Sequence, residues 1–415
     1  MADRHTRLRL NLAMATQERT RILLAGGGVA ALEAALTLHA LAGDRVTVEL
    51  IAPEPDFVYR PLAVAEPFRV GEVRSFPLGR LTEATGATLH RGLVTEVDPD
   101  LHLVTTEKGD QLPYDLLLLA LGARTVEAVP GTLTFTGPKE DTALSRILED
   151  AVHGEIKSIV FALPPGASWP MPLYELALLT RAYLVDRGTT GVEVTLVTPE
   201  ASPLEIFGPS VGEAVAELLE ARGIDLRLET TPLTFLAGGL ELDPPGGIDA
   251  DRVVALPWLE GPPLRGIHQD MHGFVDVDEH GAVSREDDLY AAGDLTSFPI
   301  KQGGIAAQQA NAAAEAMAAR AGAEIEPAPF RPVLRGLLLT GMEPRFLRGE
   351  AETDGSLVDT EPLWWPPAKI VGRHLAPFLA EQLGLSETLE QRHRRGAVPV
   401  EVELSSEQRG AGPPR

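Results

Sequence analysis

The 415-residue chain contains no cysteine. That absence excludes a redox-active disulfide, a persulfide relay, a thiolate nucleophile and a cysteine-ligated iron–sulfur cluster. Any redox chemistry must run on a bound organic cofactor. The chain also lacks 18 or more uninterrupted apolar residues, so no transmembrane helix is expected; its densest apolar run, residues 116–123, is strand length. It lacks an excess of basic residues. A net charge of −24 argues against nucleic-acid partners and against electrostatic attraction to anionic lipid. No apolar core of 7–15 residues separates the basic opening from Ala13-Met-Ala15, so residues 1–19 read as a cytoplasmic leader, not a signal peptide. With 44% apolar residues the chain is globular and long enough for two or three domains.

What is present begins at Arg21-Ile-Leu-Leu-Ala-Gly-Gly-Gly-Val-Ala-Ala-Leu-Glu33, where an apolar strand breaks into three glycines and then into a helical pattern. Gly26, Gly28 and Ala31 have the G-x-G-x-x-G/A spacing. The first glycine allows the turn, the second allows backbone to approach a pyrophosphate, and the small third residue lets helix pack on strand. Val29 and Ala30 then open a helix whose positive N-terminus suits phosphate. Residues 45–51 read as the next parallel strand. An acid at its tip binds the adenosine ribose in such folds; Glu54, just beyond Ala52-Pro53, is the better placed candidate, with a solvated loop carboxylate as the alternative. Asp56-Phe-Val-Tyr-Arg-Pro61 brings aromatics and Arg60 into one loop that walls a planar ring or simply packs. Residues 112–123 read as a buried strand ending in Ala120, Leu121 and Gly122, which permit close backbone approach to a ligand.

A second strand–helix unit begins near Thr142. Where its own nucleotide fingerprint belongs stands Pro164-Pro-Gly-Ala-Ser-Trp-Pro-Met-Pro172. Prolines donate no backbone N–H and form no phosphate cradle. His268 and His272 have metal-ligand spacing but lie in a glycine-bounded loop without a third ligand, which favours solvated histidines. Asp288-Leu-Tyr-Ala-Ala-Gly-Asp-Leu295 is a short strand ending in Gly293 and Asp294. Lys301 then precedes a long alanine-rich helix opened by Gly303 and Gly304, whose N–H groups and dipole face an electron-rich acceptor. Pro327-Ala-Pro-Phe-Arg-Pro332 reads as a linker, residues 333–340 and 345–349 as paired strands, Trp364-Trp-Pro-Pro367 as an aromatic cluster, and residues 370–385 as an amphipathic helix. Helix and tryptophans serve a partner, a membrane surface, or a core or dimer interface.

Four stretches in order, Gly26 to Ala30, Leu118 to Ala123, Tyr290 to Asp294 and Lys301 to Gly304, resemble the two-dinucleotide-domain flavoproteins, the pyridine nucleotide–disulfide oxidoreductases and their relatives. The resemblance covers residues 20–322. It implies an α/β fold of two Rossmann-like dinucleotide-binding domains, the second inserted in the first, plus a C-terminal α+β tail domain. The expected boundaries are 20–141 with 285–325 for the FAD-binding domain, 142–284 for the NAD(P)-type domain with a degenerate fingerprint, 326–404 for the C-terminal domain and 405–415 for a disordered tail. Gly26 and Gly28 then match the FAD pyrophosphate site, Asp294 the ribityl-binding aspartate, and Val94 the backbone that holds adenine. Residues 57–61, Lys301-Gln-Gly-Gly304 and the proline-rich loop look most like the branch of sulfide:quinone oxidoreductase, flavocytochrome c sulfide dehydrogenase and type II NADH:quinone oxidoreductase. Lys301 matches the lysine that approaches the flavin pyrimidine edge there.

The chain departs from that branch in three places. It has no cysteines for sulfide oxidation, Leu121 replaces the usual threonine, and of the glutamine pair of the NADH enzymes only Gln308 remains, with Gly304 at the other place. Three functions stay open. The first is an FAD-dependent oxidoreductase passing electrons from a small-molecule donor to a quinone or similar acceptor without cysteine chemistry, cytoplasmic or on the cytoplasmic side of a membrane touched by the C-terminal region. The second is an NAD(P)H:acceptor reductase, and the third a non-catalytic flavin-binding sensor or partner subunit. A homodimer is compatible with each.

Overall fold

The structure, a computed structural model, describes residues 19–137, 141–349 and 357–385. All of the expected leader except Arg19 lies outside the described residues, as do residues 386–404 of the C-terminal region and the tail 405–415.

Leu23, Leu24 and Ala25 in the first strand, Thr20–Ala25, are fully buried, as are Leu117, Leu118 and Leu119 in the Leu116–Leu119 strand. Such continuous apolar runs form parallel strands covered on both faces. The first sheet has the order Leu289–Ala291, Leu116–Leu119, Thr20–Ala25, Val46–Ala52, Thr88–Arg91, every neighbouring pair parallel. Alternation assigns its faces. Ile22, Leu24, Val48, Leu50 and Leu118 pack under the Val29–Leu41 and Gly303–Arg320 helices. Leu23, Ala25, Ile51 and Leu117 pack on the antiparallel strands Val94–Asp98, Leu103–Thr106 and Gln111–Pro113. Each such leucine, isoleucine or valine side chain contributes about 1.5–3 kcal/mol of burial free energy. Alanines at the contact of the two helices, among them Ala34, Ala310 and Ala313, let them lie close.

The second parallel sheet has the order Leu133–Thr134, Arg252–Ala255, Ser158–Ala162, Glu193–Val197, Asp225–Arg227. Two connecting strands, Arg124–Val126 leaving the first unit and Trp258–Glu260 returning to it, pair antiparallel. The second unit is therefore inserted in the first. Its hairpins Thr231–Leu236, Gly239–Asp243 and Gly246–Asp249 have no counterpart in the expectation from sequence. The Met171–Asp186 helix begins inside the proline-rich loop, with Pro170 at its N-cap and Pro172 in its first turn. The C-terminal strands Leu334–Leu338, Arg345–Gly349 and Leu357–Asp359 form an antiparallel sheet. The last helix is shorter than the expected 370–385, running Leu375–Gln382.

Candidate functional site: a bare helix N-terminus at the switch point of the first sheet

From Thr20–Ala25 the chain adds strands in one direction, then returns to place Leu116–Leu119 on the opposite side. Ligands bind at the carboxyl ends of strands at such a reversal. The three glycines at this place do different work. Gly26 has φ +136, and a Cβ there would stand 2.1 Å from the Ala120 carbonyl oxygen, so only glycine fits. The Gly26 N–H donates to Ile51 O (2.8 Å), and that of Ala120 to Ala25 O (2.8 Å). A Cβ on Gly27 would press on Ala52 at 2.9 Å. Gly28 is different: its backbone is extended, with φ −94 and ψ −172, and a Cβ would meet nothing within 4 Å. The protein does not itself require glycine there. The helix that starts at Val29 has no side-chain cap and no acid in its first turn. Its first amides therefore form an uncompensated anion cradle.

Gly293 and Asp294 lie against this cradle, since a Cβ on Gly293 would come within 3.2 Å of Ala30 Cβ. The buried Gln309 fixes their turn by accepting the Gly293 N–H (2.8 Å) and donating to Thr296 Oγ1 (3.1 Å). No donor among the described residues reaches the Asp294 carboxylate, and burial raises its pKa against the opposing charges of Lys301 and Arg60. Lys301 is 8% exposed; its ammonium donates to Thr296 O and stands 3.9 Å over the Phe274 ring. Burial pulls the Lys301 pKa down to about 8, while Asp294 and Asp270 pull it back up. The structure thus brings together Gly26, Gly28, Val29, Ala30, Ala120, Gly293, Asp294, Lys301 and Arg60. Exposed Glu54, buried Val94 and Gly122 (φ +71, open space beside it) follow strands of the same sheet at its carboxyl edge, with no contact that ties them to the others.

The helix opened by Gly303 and Gly304 is less bare than its sequence suggests. Gln302 Oε1 caps the Ile305 amide (2.9 Å), and Gln302 Nε2 donates to Arg335 O (3.1 Å). A Cβ on Gly303 would lie 2.8 Å from Ile370 Cγ1, and one on Gly304 2.9 Å from Gln302 Oε1. Both glycines make room for protein, and only their own two amides stay uncapped. Gln308 holds the C-terminal segment, donating to Val333 O (3.0 Å) and accepting from Val333 N (2.8 Å).

The second sheet has the same reversal and no opening. Pro170 and Pro172 begin its helix, and a Cβ on Gly336 of the C-terminal sheet would stand 2.2 Å from Met171 Cε, so that helix start is covered. At its strand tip Glu200 is buried, accepting from Tyr174 Oη (2.5 Å) and Thr198 Oγ1 (2.8 Å), and burial raises its pKa to about 7. Glu200 and Tyr174 escaped the sequence reading. A signal existed: Val197-Thr198-Pro199-Glu200 repeats the form of Ile51-Ala52-Pro53-Glu54.

Two buried acids join the C-terminal region to both units. Glu33 accepts the His374 (2.8 Å) and Leu375 (2.7 Å) amides and so caps the last helix. Glu175 pairs with Lys369 (2.6 and 2.5 Å) and accepts Leu339 N (2.8 Å). Trp364 closes a small core, its ring 5.1 Å from Phe346. No described helix is long and apolar enough to cross a membrane. Among the described residues no His/Cys/Asp/Glu cluster fits a metal, and Met271, between the two spaced histidines, is 86% exposed.

The geometry defines an α/β protein of two units, each built on a Rossmann-like parallel sheet. The family described as Pyridine nucleotide-disulphide oxidoreductase matches residues 179–316. A sulfide-quinone reductase of Aquifex aeolicus (strain VF5) is 28% identical over 185 residues, 43% of this chain and 43% of that protein, so the matched part spans less than half the relative's length. An NADH dehydrogenase-like protein of Mycobacterium tuberculosis (strain CDC 1551 / Oshkosh) is 27% identical over 305 residues, 67% of this chain and 73% of the relative. The X-ray structure of the sulfide:quinone oxidoreductase from Aquifex aeolicus superposes with TM-score 0.78 at 18% identity, covering 95% of this chain and all of that one. A ferredoxin reductase from Rhodopseudomonas palustris gives 0.61 at 19% identity, covering 80% and 82%. These likenesses are consistent with the pyridine nucleotide–disulfide oxidoreductase superfamily.

Proposed function

We propose that the protein is an FAD-dependent oxidoreductase that passes electrons from a small-molecule donor through flavin to a quinone or similar acceptor, without cysteine chemistry. The observation that carries this reading is the cradle at Gly28, left bare beside a carboxylate, Asp294, that no donor among the described residues satisfies. A dinucleotide fits both features, with its pyrophosphate on the amides after Gly28 and a polyol hydroxyl on Asp294. Bound flavin supplies hydride and one-electron chemistry. Lys301, cationic below pH about 8, stabilises negative charge that develops on the ring, and the Phe274 face helps hold it there. The sequence has no thiol, so no cysteine of this chain would stand between donor and ring.

The covered helix start and the internally bonded Glu200 argue against NAD(P)H at the second unit. The purified chain should show a flavin absorption band and release flavin on heating. Anaerobic NADH should leave the band intact, whereas the physiological donor bleaches it and a water-soluble quinone restores it. A colourless protein that cannot be reconstituted overturns the proposal; rapid bleaching by NADH replaces it with the reductase reading.

A further inference from the structure

The C-terminal sheet carries charge of the wrong sign for this chain. Residues 331–348 hold four arginines, Arg331, Arg335, Arg345 and Arg348, and one carboxylate, Glu343, within a protein of net charge −24. Two of the arginines are direct partners in the antiparallel register: Arg335 faces Arg348, just as Leu337 faces Phe346. Cross-strand partners project from the same face with Cβ atoms about 4.5–5.5 Å apart, and like charges so placed destabilise a sheet. The face is settled by the neighbours. Gly336 turns inward onto Met171 and Phe207, so Arg335 points outward, on the side where Leu337, Phe346 and Trp364 pack together.

Arg335 is half-buried. Burial and the charge of Arg348 both pull its pKa below the usual arginine value. No hydrogen bond or ion pair from the described residues reaches its guanidinium, although 60 carboxylates stand in the sequence. A partly desolvated cation held beside a second one costs stability, and local rules are broken in this way where a ligand restores the balance.

We propose that Arg335 and Arg348 form a binding site for a small anion, a carboxylate or an oxyanion, on the outer face of the C-terminal sheet. Guanidinium forks match both ligand shapes through paired N–H donors. Arg348 already makes a contact within the chain and serves as the fixed wall, while Arg335 supplies the open fork. The site also communicates with the flavin side. The Arg335 carbonyl accepts from Gln302, the residue after Lys301 and the cap of the helix that follows. An anion that orders Arg335 therefore bears on the same strand that steadies that cap. The inference stands whether or not flavin is bound.

Isothermal titration of the full-length protein at constant ionic strength, with inorganic sulfate and with acetate as probes and chloride as the balancing salt, tests it. The expected result is saturable one-to-one binding of at least one probe. Arg335→Gln should weaken that binding about tenfold or more, Arg335→Lys by less because charge survives and the fork does not, and Arg331→Gln not at all. In chloride alone Arg335→Gln should melt higher than the parent, and the binding anion should close the gap. Absence of saturable binding in the parent overturns the proposal. So does undiminished affinity in a folded Arg335→Gln, or a lower melting temperature of that variant in chloride.

Discussion

Ile51-Ala52-Pro53-Glu54 and Val197-Thr198-Pro199-Glu200 end equivalent strands of two sheets with the same reversal of strand order. In the first unit the acid is exposed and the neighbouring helix N-terminus is bare. In the second the acid is buried against Tyr174, and the helix N-terminus begins with prolines under the strand that carries Gly336. Topology supplied a nucleotide crevice twice, and side chains filled one of them. A Rossmann-like sheet is therefore no indication of a bound nucleotide; the test is whether amides and carboxylate at its carboxyl edge have been left without internal partners.

The sharpest way to break this comparison is at the glycines. Gly26→Ala drives a methyl group into the Ala120 carbonyl at a φ of +136, and should cost upwards of ~4 kcal/mol, read as loss of the folded protein in denaturant titration. Gly28→Val meets no protein atom and needs no unusual backbone, so it should shift stability by about 1 kcal/mol or less while abolishing flavin content. A Gly28→Val protein that keeps its flavin would put the nucleotide elsewhere.

Next in size is the charge at Lys301. Lys301→Met should lower the flavin midpoint potential in spectroelectrochemical titration. Loss of a donor of this kind is worth about 3 kcal/mol, equivalent to about 60 mV for two electrons. The difference from the parent should shrink above pH about 8, where the parent lysine is itself neutral. Stability moves the opposite way. A cation whose folded pKa of about 8 lies below 10.5 disfavours the folded state at neutral pH, and that cost fades as pH rises from about 8 to 10.5. An unchanged potential would remove Lys301 from the site.

Much of the first unit was legible in sequence because its determinants are local. The Ile22–Ala25 run, the glycines and the alanine periodicity fix strand, turn and helix within 25 residues, and the structure has them as Thr20–Ala25 and Val29–Leu41. The proline loop likewise announced that the second unit lacks a cradle. The remainder was set by contacts distant in sequence. Gly303 and Gly304 read as bare amides until Ile370, some sixty-seven residues on, is seen against them. Glu33 looks like a helix-surface acid, yet it is fully buried and caps a helix that begins at Leu375. Gln309, buried beneath the Gly293 turn, is indistinguishable in sequence from its neighbour Gln308.

The smallest expected effect lies at Glu200, and it probes whether the second crevice is closed by design of its side chains. The folded pKa of about 7 exceeds the ordinary value of 4.5, so the folded state holds a proton that the unfolded chain releases first. Its contribution is complete below pH about 4.5 and is lost as pH rises through about 7. Between pH 5 and 8 the parent should lose about 2 kcal/mol of unfolding free energy from this group, and Glu200→Gln, neutral throughout, should remove that part of the slope. Tyr174→Phe takes away a hydrogen bond that favours the carboxylate, so it should push the Glu200 pKa higher and carry the loss to higher pH. If chemical denaturation of parent and Glu200→Gln runs parallel across this range, Glu200 is hydrated in solution, the Tyr174 contact does not close the tip, and the second crevice must be counted as open to a ribose after all.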